Sequence, residues 1–281
     1  MLNILVTGSN GQLGSEIKVL ESKYSNYNFI FTDIAELDLT KAEDVDKFIK
    51  NNKVNCCINC AAYTAVDKAE DEQDLALLVN AMAVENLAKA CEKAKARLIH
   101  VSTDYVFDGS NHMPYVETDE PFPNSFYGVS KLQGEKAVTD NISDYAIVRT
   151  SWLYSSFGNN FVKTMIRLGK ERDELGVVVD QVGTPTYAAD LADALLTMVK
   201  SEIVGIYHYS NQGVISWYDF AKAIMDIGKI NCKVNAIESK DFPAKANRPF
   251  YSVLNKAKIA TDFNIQIPYW LDSLKIMIKK L

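Results

Sequence analysis

Positive charge is not in excess in this chain: 30 Lys and Arg stand against 36 Asp and Glu, a net charge of −6. That balance offers no electrostatic footprint for a polyanion, so nucleic acid and anionic membranes are poor partners. No apolar run approaches the roughly 20 residues that span a bilayer. The start, Met1 to Gly8, lacks the basic stretch and apolar core of a secretory leader, so a cytoplasmic location is expected. Histidine is scarce, and His100, His112 and His208 are scattered, so none is assigned to catalysis or metal. Cysteine is limited to five, an odd number. Cys57 and Cys60 do form a Cys-x-x-Cys, but it lies inside the apolar run Val54 to Ala62 and no second pair completes a zinc site. Buried thiols on a strand are the expectation.

What is present is enough apolar material for a core, 48% of residues, over a length of 281 that suits one large α/β domain or two. The first half alternates β-branched apolar runs with helical periodicity, which requires a parallel sheet with crossover helices. Strands are predicted at Asn3 to Thr7, Asn28 to Thr32, Cys56 to Cys60, Arg97 to Ser102 and Tyr145 to Thr150. Helices are predicted near Gly11 to Leu20, Lys41 to Asn51, Leu75 to Lys95 and Tyr127 to Thr139. Continuous apolarity in the strands implies cover on both faces, hence a doubly wound Rossmann-type sheet. After Thr150 the rhythm changes, with a Gly/Asn-rich loop at Phe157 to Asn160 and spaced prolines. The expected organisation is a dinucleotide-binding domain over 1–151 and a smaller, mixed α/β substrate lobe over 152–281. The lobe is discontinuous, because a helix within about 187–200 belongs with the first domain. The acidic cluster Glu70, Asp71, Glu72 and Asp74 reads as the solvated first turn of the following helix.

Three glycines, Gly8, Gly11 and Gly14, fall in seven residues at the first strand-helix junction. They supply a tight turn, close backbone approach and a helix N-terminus for a pyrophosphate. Asp33 ends the second strand, where a carboxylate accepts hydrogen bonds from the adenosine ribose and repels a 2′-phosphate. NADH is therefore favoured, with NADPH as the alternative donor. Asp38 and Leu39 follow in a loop placed either to cover the adenine or simply to turn the chain. Tyr127 and Lys131 lie four apart on one helix face. A phenol of pKa about 10 is a poor acid at neutral pH, and a neighbouring ammonium is expected to lower it. Thr103, at the end of the fourth strand, is placed to donate a hydrogen bond to a reacting carbonyl oxygen.

Together these residues resemble the extended short-chain dehydrogenase/reductase superfamily. Within it, Asn59-Cys-Ala-Ala-Tyr-Thr-Ala-Val-Asp-Lys-Ala-Glu70, Ser102-Thr-Asp-Tyr-Val-Phe-Asp-Gly109, Arg149-Thr-Ser-Trp-Leu-Tyr154, Asp180-Gln-Val-Gly-Thr-Pro-Thr186 and Arg248-Pro-Phe-Tyr-Ser252 resemble the dTDP-4-dehydrorhamnose reductase family. The resemblance implies reduction of the 4-keto group of dTDP-4-dehydro-L-rhamnose, with Tyr127, Lys131 and Thr103 catalytic. It implies cofactor contacts from Gly8, Asn10, Gly11, Gln12, Leu13, Asp33, Asp38, Leu39, Ala61, Ala62 and Tyr63, joined by Tyr127 and Lys131. Substrate contacts are implied for Thr103, Asp104, Trp152 and Arg248, and Asn80 matches a superfamily asparagine near the active site. Bland alternatives stand beside these: a core tryptophan, an arginine paired with a surface carboxylate, a capping aspartate. Glu16 matches one of the acidic positions that hold magnesium at a dimer contact in some members. Tyr187-Ala-Ala-Asp190 offers one carboxylate where two are expected, so no metal is assigned and a homodimer is left open. A dehydratase or epimerase would carry an acid after Asp104; here Tyr105 stands there. A reductase of a related nucleotide 4-keto sugar, or a non-catalytic regulatory subunit of the same fold, are the remaining alternatives.

Overall fold

A computed structural model describes residues 1–281. Its centre is a six-stranded parallel sheet built from β1 (Leu2–Thr7), β2 (Tyr27–Phe31), β3 (Cys56–Asn59), β4 (Arg97–Thr103), β5 (Tyr145–Thr150) and β6 (Gly205–His208), in the order β2-β1-β3-β4-β5-β6. Successive side chains of these strands enter two different cores. Ile4 and Val6 join Ile17, Ile58, Ile99 and Val148 on one face, while Leu5 joins Ile49, Cys57, Leu87 and Leu98 on the other. Both faces are apolar because both are covered. Helices α1 (Gln12–Leu20) and α5 (Ala188–Met198) cover the first face; α2 (Ala42–Asn51), α3 (Ala83–Ala94) and α4 (Phe126–Asn141) cover the second.

The five strands predicted from sequence agree with β1 to β5 to within about a residue at each end. Strand β6 was not anticipated: it is four residues long, begins with Gly205 at φ 145° and carries none of the β-branched runs that mark the others. The helix expected over Leu75 to Lys95 is not continuous. It comprises Gln73–Leu77, a π-turn over Leu78–Met82, and α3. The widened turn aims Asn80 inward, fully buried.

The smaller lobe packs the helices Phe161–Glu171, Trp217–Gly228 and Trp270–Ile278 around Tyr154, Tyr187, Phe220 and Leu274, with a parallel pair of strands, Glu174–Val178 and Lys233–Ile237. The chain does not divide cleanly between lobes. Residues 188–208 return to the sheet, and Ile259 and Phe263 enter the first core again.

Candidate active site

The strand order reverses between β1 and β3, and in such sheets a ligand crevice opens at the carboxyl ends on either side of the reversal. Gly8 follows β1 with φ 60°, and a Cβ there would lie 2.6 Å from the backbone nitrogen of Ala61 beyond β3. The two strand tips leave no space for a side chain. Gly14 is equally closed, since its Cβ would meet Cα of Ser9 at 2.5 Å. Helix α1 starts after Gly11 with no side-chain cap, so its first amides are open to an anion. A cleft of about 370 Å³ lies here, lined by Gly8, Gly11, Asp33, Asp38, Leu39, Ala61 and Ala62 among others. Asp33 accepts from the amides of Asn10 (3.1 Å) and Ile34 (2.8 Å), which fixes its carboxylate at the rim. Asp38 accepts from the amide and hydroxyl of Thr40, and these bonds hold its carboxyl below the ordinary range. It is thus both turn-former and wall.

Other expected cofactor contacts point elsewhere. The Leu13 side chain belongs to the core, which leaves its backbone for a phosphate. Gln12 accepts from Asn160 at 2.9 Å. Tyr63 gives its phenolic proton to Glu72 at 2.6 Å, and its backbone is held by Asn80 through bonds of 2.8 and 3.0 Å. Asn80 also reaches the Ser130 hydroxyl on α4, 3.0 Å away.

Beyond β4, Tyr127 on α4 is 8% exposed. Burial pushes its phenol above the ordinary value; the Thr103 hydroxyl opposes this and the Asp104 carboxylate reinforces it. Lys131 was expected to lower that phenol. Instead its ammonium donates to the Val101 carbonyl at 2.7 Å, and burial brings it down to about 8. In this arrangement Tyr127 stays protonated, as a proton donor must. Thr103 donates to Asp104 at 3.0 Å. Asp104 is 2% exposed, is pushed up to about 7 chiefly by burial, and its second carboxyl oxygen has no partner.

Tyr105 packs edge-on against Tyr127 with ring centres 5.4 Å apart, and its hydroxyl accepts from Arg248 at 3.2 Å. Arg248 also pairs with Asp67 at 2.8 Å, and its Nε is buried without a partner. Trp152 is half-buried, stacked on Trp217 at 3.6 Å, and held at φ 49°. A bulky residue in the left-handed region is a strained exception that accumulates at functional positions. Sequence reasoning missed Tyr105, Asp67 and Trp217. Of the acidic cluster, Asp71, Glu72 and Asp74 face solvent as expected, Asp71 pairing with Lys245, while Glu70 is half-buried and accepts the Phe126 amide at 2.9 Å, so it holds the entry to α4. Nothing in local composition signals contacts made across 56 to 181 residues of chain.

A switch-point crevice with a glycine turn and a buried Tyr-x-x-x-Lys helix beside it defines an extended short-chain dehydrogenase/reductase. The profile of the RmlD substrate binding domain matches residues 2–281, and the chain belongs to that family. It is 43% identical to the dTDP-4-dehydrorhamnose reductase of Aggregatibacter actinomycetemcomitans, over 98% of each chain. Among solved structures it resembles a Clostridium acetobutylicum dTDP-4-dehydrorhamnose reductase (46% identity, 99% of each chain, TM-score 0.96). It also resembles the Bacillus anthracis dTDP-4-dehydrorhamnose reductase in complex with NADP (40% identity, 100% of each chain, TM-score 0.97).

Proposed function

We propose that the protein is an NAD(P)H-dependent oxidoreductase that reduces the C4 keto group of dTDP-4-dehydro-L-rhamnose to give dTDP-L-rhamnose, an activated deoxysugar for polysaccharide synthesis. The observation that carries this reading is the buried, protonated Tyr127 beside Thr103 and Asp104 and one helical turn from Lys131, in a chain of this family whose glycine turn opens on a cleft at the tips of β1 and β3. The residues fit the cofactor: Gly8 leaves the backbone bare, α1 is uncapped, and Asp33 stands where an adenosine ribose would be met. Gly8, Asn10, Gly11, Gln12 and Leu13 would hold its phosphates, and Asp33, Asp38 and Leu39 its adenosine. Ala61, Ala62, Tyr63 and Lys131 would line the nicotinamide half. The bound dinucleotide supplies the hydride.

Tyr127 transfers its proton to the C4 oxygen as negative charge develops there. Thr103 turns its hydroxyl from Asp104 to the same oxygen, and Lys131 stabilises the phenolate left behind. The free oxygen of Asp104 suits a sugar hydroxyl, Trp152 a sugar face, and the free Nε of Arg248 the nucleotide end. Two carboxylates, Asp33 and Asp38, at the adenosine end favour NADH, while the NADP in the Bacillus anthracis structure keeps NADPH as a second donor. No helix is long and apolar enough to cross a membrane, and we place the enzyme in the cytoplasm, acting on a nucleotide sugar as a monomer or homodimer.

The test is NADH oxidation with dTDP-4-dehydro-L-rhamnose made in situ. Stoichiometric NADH loss with dTDP-rhamnose formed supports the reading. No turnover with either dinucleotide sinks it in favour of another 4-keto sugar or a regulatory subunit.

A further inference from the structure

Behind Lys131, on the side away from the crevice, three strands and α4 converge on a buried cluster of charges that the mechanism above does not use. Glu135, one turn beyond Lys131 on the same face of α4, is 3% exposed. Its carboxylate accepts from Nε and Nη2 of Arg149 on β5 at 2.9 and 2.7 Å, and from the Ser102 hydroxyl on β4. Arg149 is 1% exposed; its remaining Nη1 faces Nε2 of His208 on β6 at 3.5 Å. On β4, Val101 holds Lys131, Ser102 holds Glu135 and Thr103 faces the reacting phenol, so three consecutive residues index the helix against the strand.

Such a cluster is a costly way to join a helix to a sheet, because each buried ion gives up its hydration. It contains two cations, Lys131 and Arg149, with the Glu135 carboxylate paired to Arg149 and one helical turn from Lys131; a second carboxylate, Glu117, accepts the His208 amide at 3.1 Å and faces Arg149 from the other side. The other titratable groups facing Lys131 carry no charge at working pH. Cys60 beyond β3 is pushed up to about 12 by burial, burial drives His100 on β4 well below its ordinary value, and Tyr127 is pushed up. His208 is brought down to about 3 by burial and by Arg149.

We propose that Glu135 is a positioning residue for this reduction: its carboxylate, bound by Arg149 and Ser102 one helical turn from Lys131, keeps Lys131 charged and in register with β4, and Arg149 offsets part of the charge that Lys131 feels. This rests on the reading of Lys131 as part of a reductase site. Burial alone works against the ammonium, and Glu135 is the principal group opposing it. A guanidinium keeps its charge where an ammonium surrenders it. Removing the carboxylate therefore leaves two buried cations of which only Lys131 can yield a proton. Removing Arg149 instead leaves the Glu135 carboxylate without its ion-pair partner and takes away the other buried cation, and both changes favour the charged form of Lys131.

The two partners of one ion pair thus move Lys131 in opposite directions, which a merely structural role cannot do. The experiment is an NMR titration of the Lys131 ammonium in the isotope-labelled full chain, assigned by its loss in Lys131→Met, together with the pH profile of kcat. Glu135→Gln moves the titration, and the alkaline limb of kcat with it, down by about one pH unit or more. Arg149→Met moves both up. Asp104, near 7, titrates in the same window in every variant and cancels in the comparison. Unshifted titrations, or shifts of the same sign, overturn the proposal. Should Glu135→Gln fail to fold, the direction in Arg149→Met decides alone. Titrations that do not split, in a wild type that turns over, refute Glu135's role; a wild type that does not turn over refutes the reductase reading instead.

Discussion

At the scale of single residues, chemistry concentrates where burial and hydrogen bonding disagree. Tyr127 offers one phenolic proton and little else, so Tyr127→Phe should retain the fold and NADH binding while kcat falls by roughly 10²–10⁴. Full turnover in that variant would remove it as the proton donor. Asp104 is raised toward 7 by burial, so it is neutral below that pH and a better acceptor for a sugar hydroxyl above it. The expected outcome is a substrate KM that falls as pH rises through 7 and becomes flat in Asp104→Asn. For Asp33, which spends both oxygens on backbone amides at the crevice rim, replacement by Ala should raise the KM for NADH about tenfold and that for NADPH less. Equal effects on both would deny it a selector role. The identities of these residues were legible in the sequence, because loop glycines, a strand-end carboxylate and a Tyr-x-x-x-Lys pair carry their spacing with them. Their partners were not. Arg248 with Asp67, or Glu70 with the Phe126 amide, meet only once the sheet has assembled.

At the scale of elements, the catalytic helix is held by its neighbours more than by its own sequence. Glu70 meets its first turn, Asn80 meets Ser130, and the carbonyl of Asn80 lies against Gly134. A Cβ at Gly134 would sit 2.1 Å from that carbonyl oxygen. Gly134→Ala should therefore push α4 away from the π-turn and cost about 1–3 kcal/mol, read as a lowered Tm with reduced kcat; an unchanged Tm would show that the two elements are not packed as described. The π-turn itself was invisible beforehand. Apolar spacing from Leu75 to Lys95 fits an unbroken helix well, and one added residue in a turn changes that spacing by less than the pattern resolves. Strands β1 to β5 were legible because burial on both faces demands continuous apolar runs, whereas β6 is a short edge strand that pairs with β5 only and buries Tyr207 in place of a β-branched run.

At the scale of the whole molecule, the core beside the sheet draws on both halves of the chain. The first core needs Leu191, Leu195, Tyr207, Tyr209 and Ile259, all supplied after the chain has already entered the smaller lobe. An isolated 1–151 fragment is expected to lack cooperative unfolding and NADH binding, while the full chain unfolds in one transition; a fragment that folds and binds would separate the lobes. The central strand β3 carries a further consequence. Cys56 and Cys57 are buried within it, and Cys91 is buried on α3. An alkylating reagent can reach these three only when the sheet parts, so the rate of their modification in native solvent is a clock for rare opening of the molecule. Cofactor that closes the crevice between β1 and β3 should slow that clock, which gives a readout of ligand occupancy that requires no turnover.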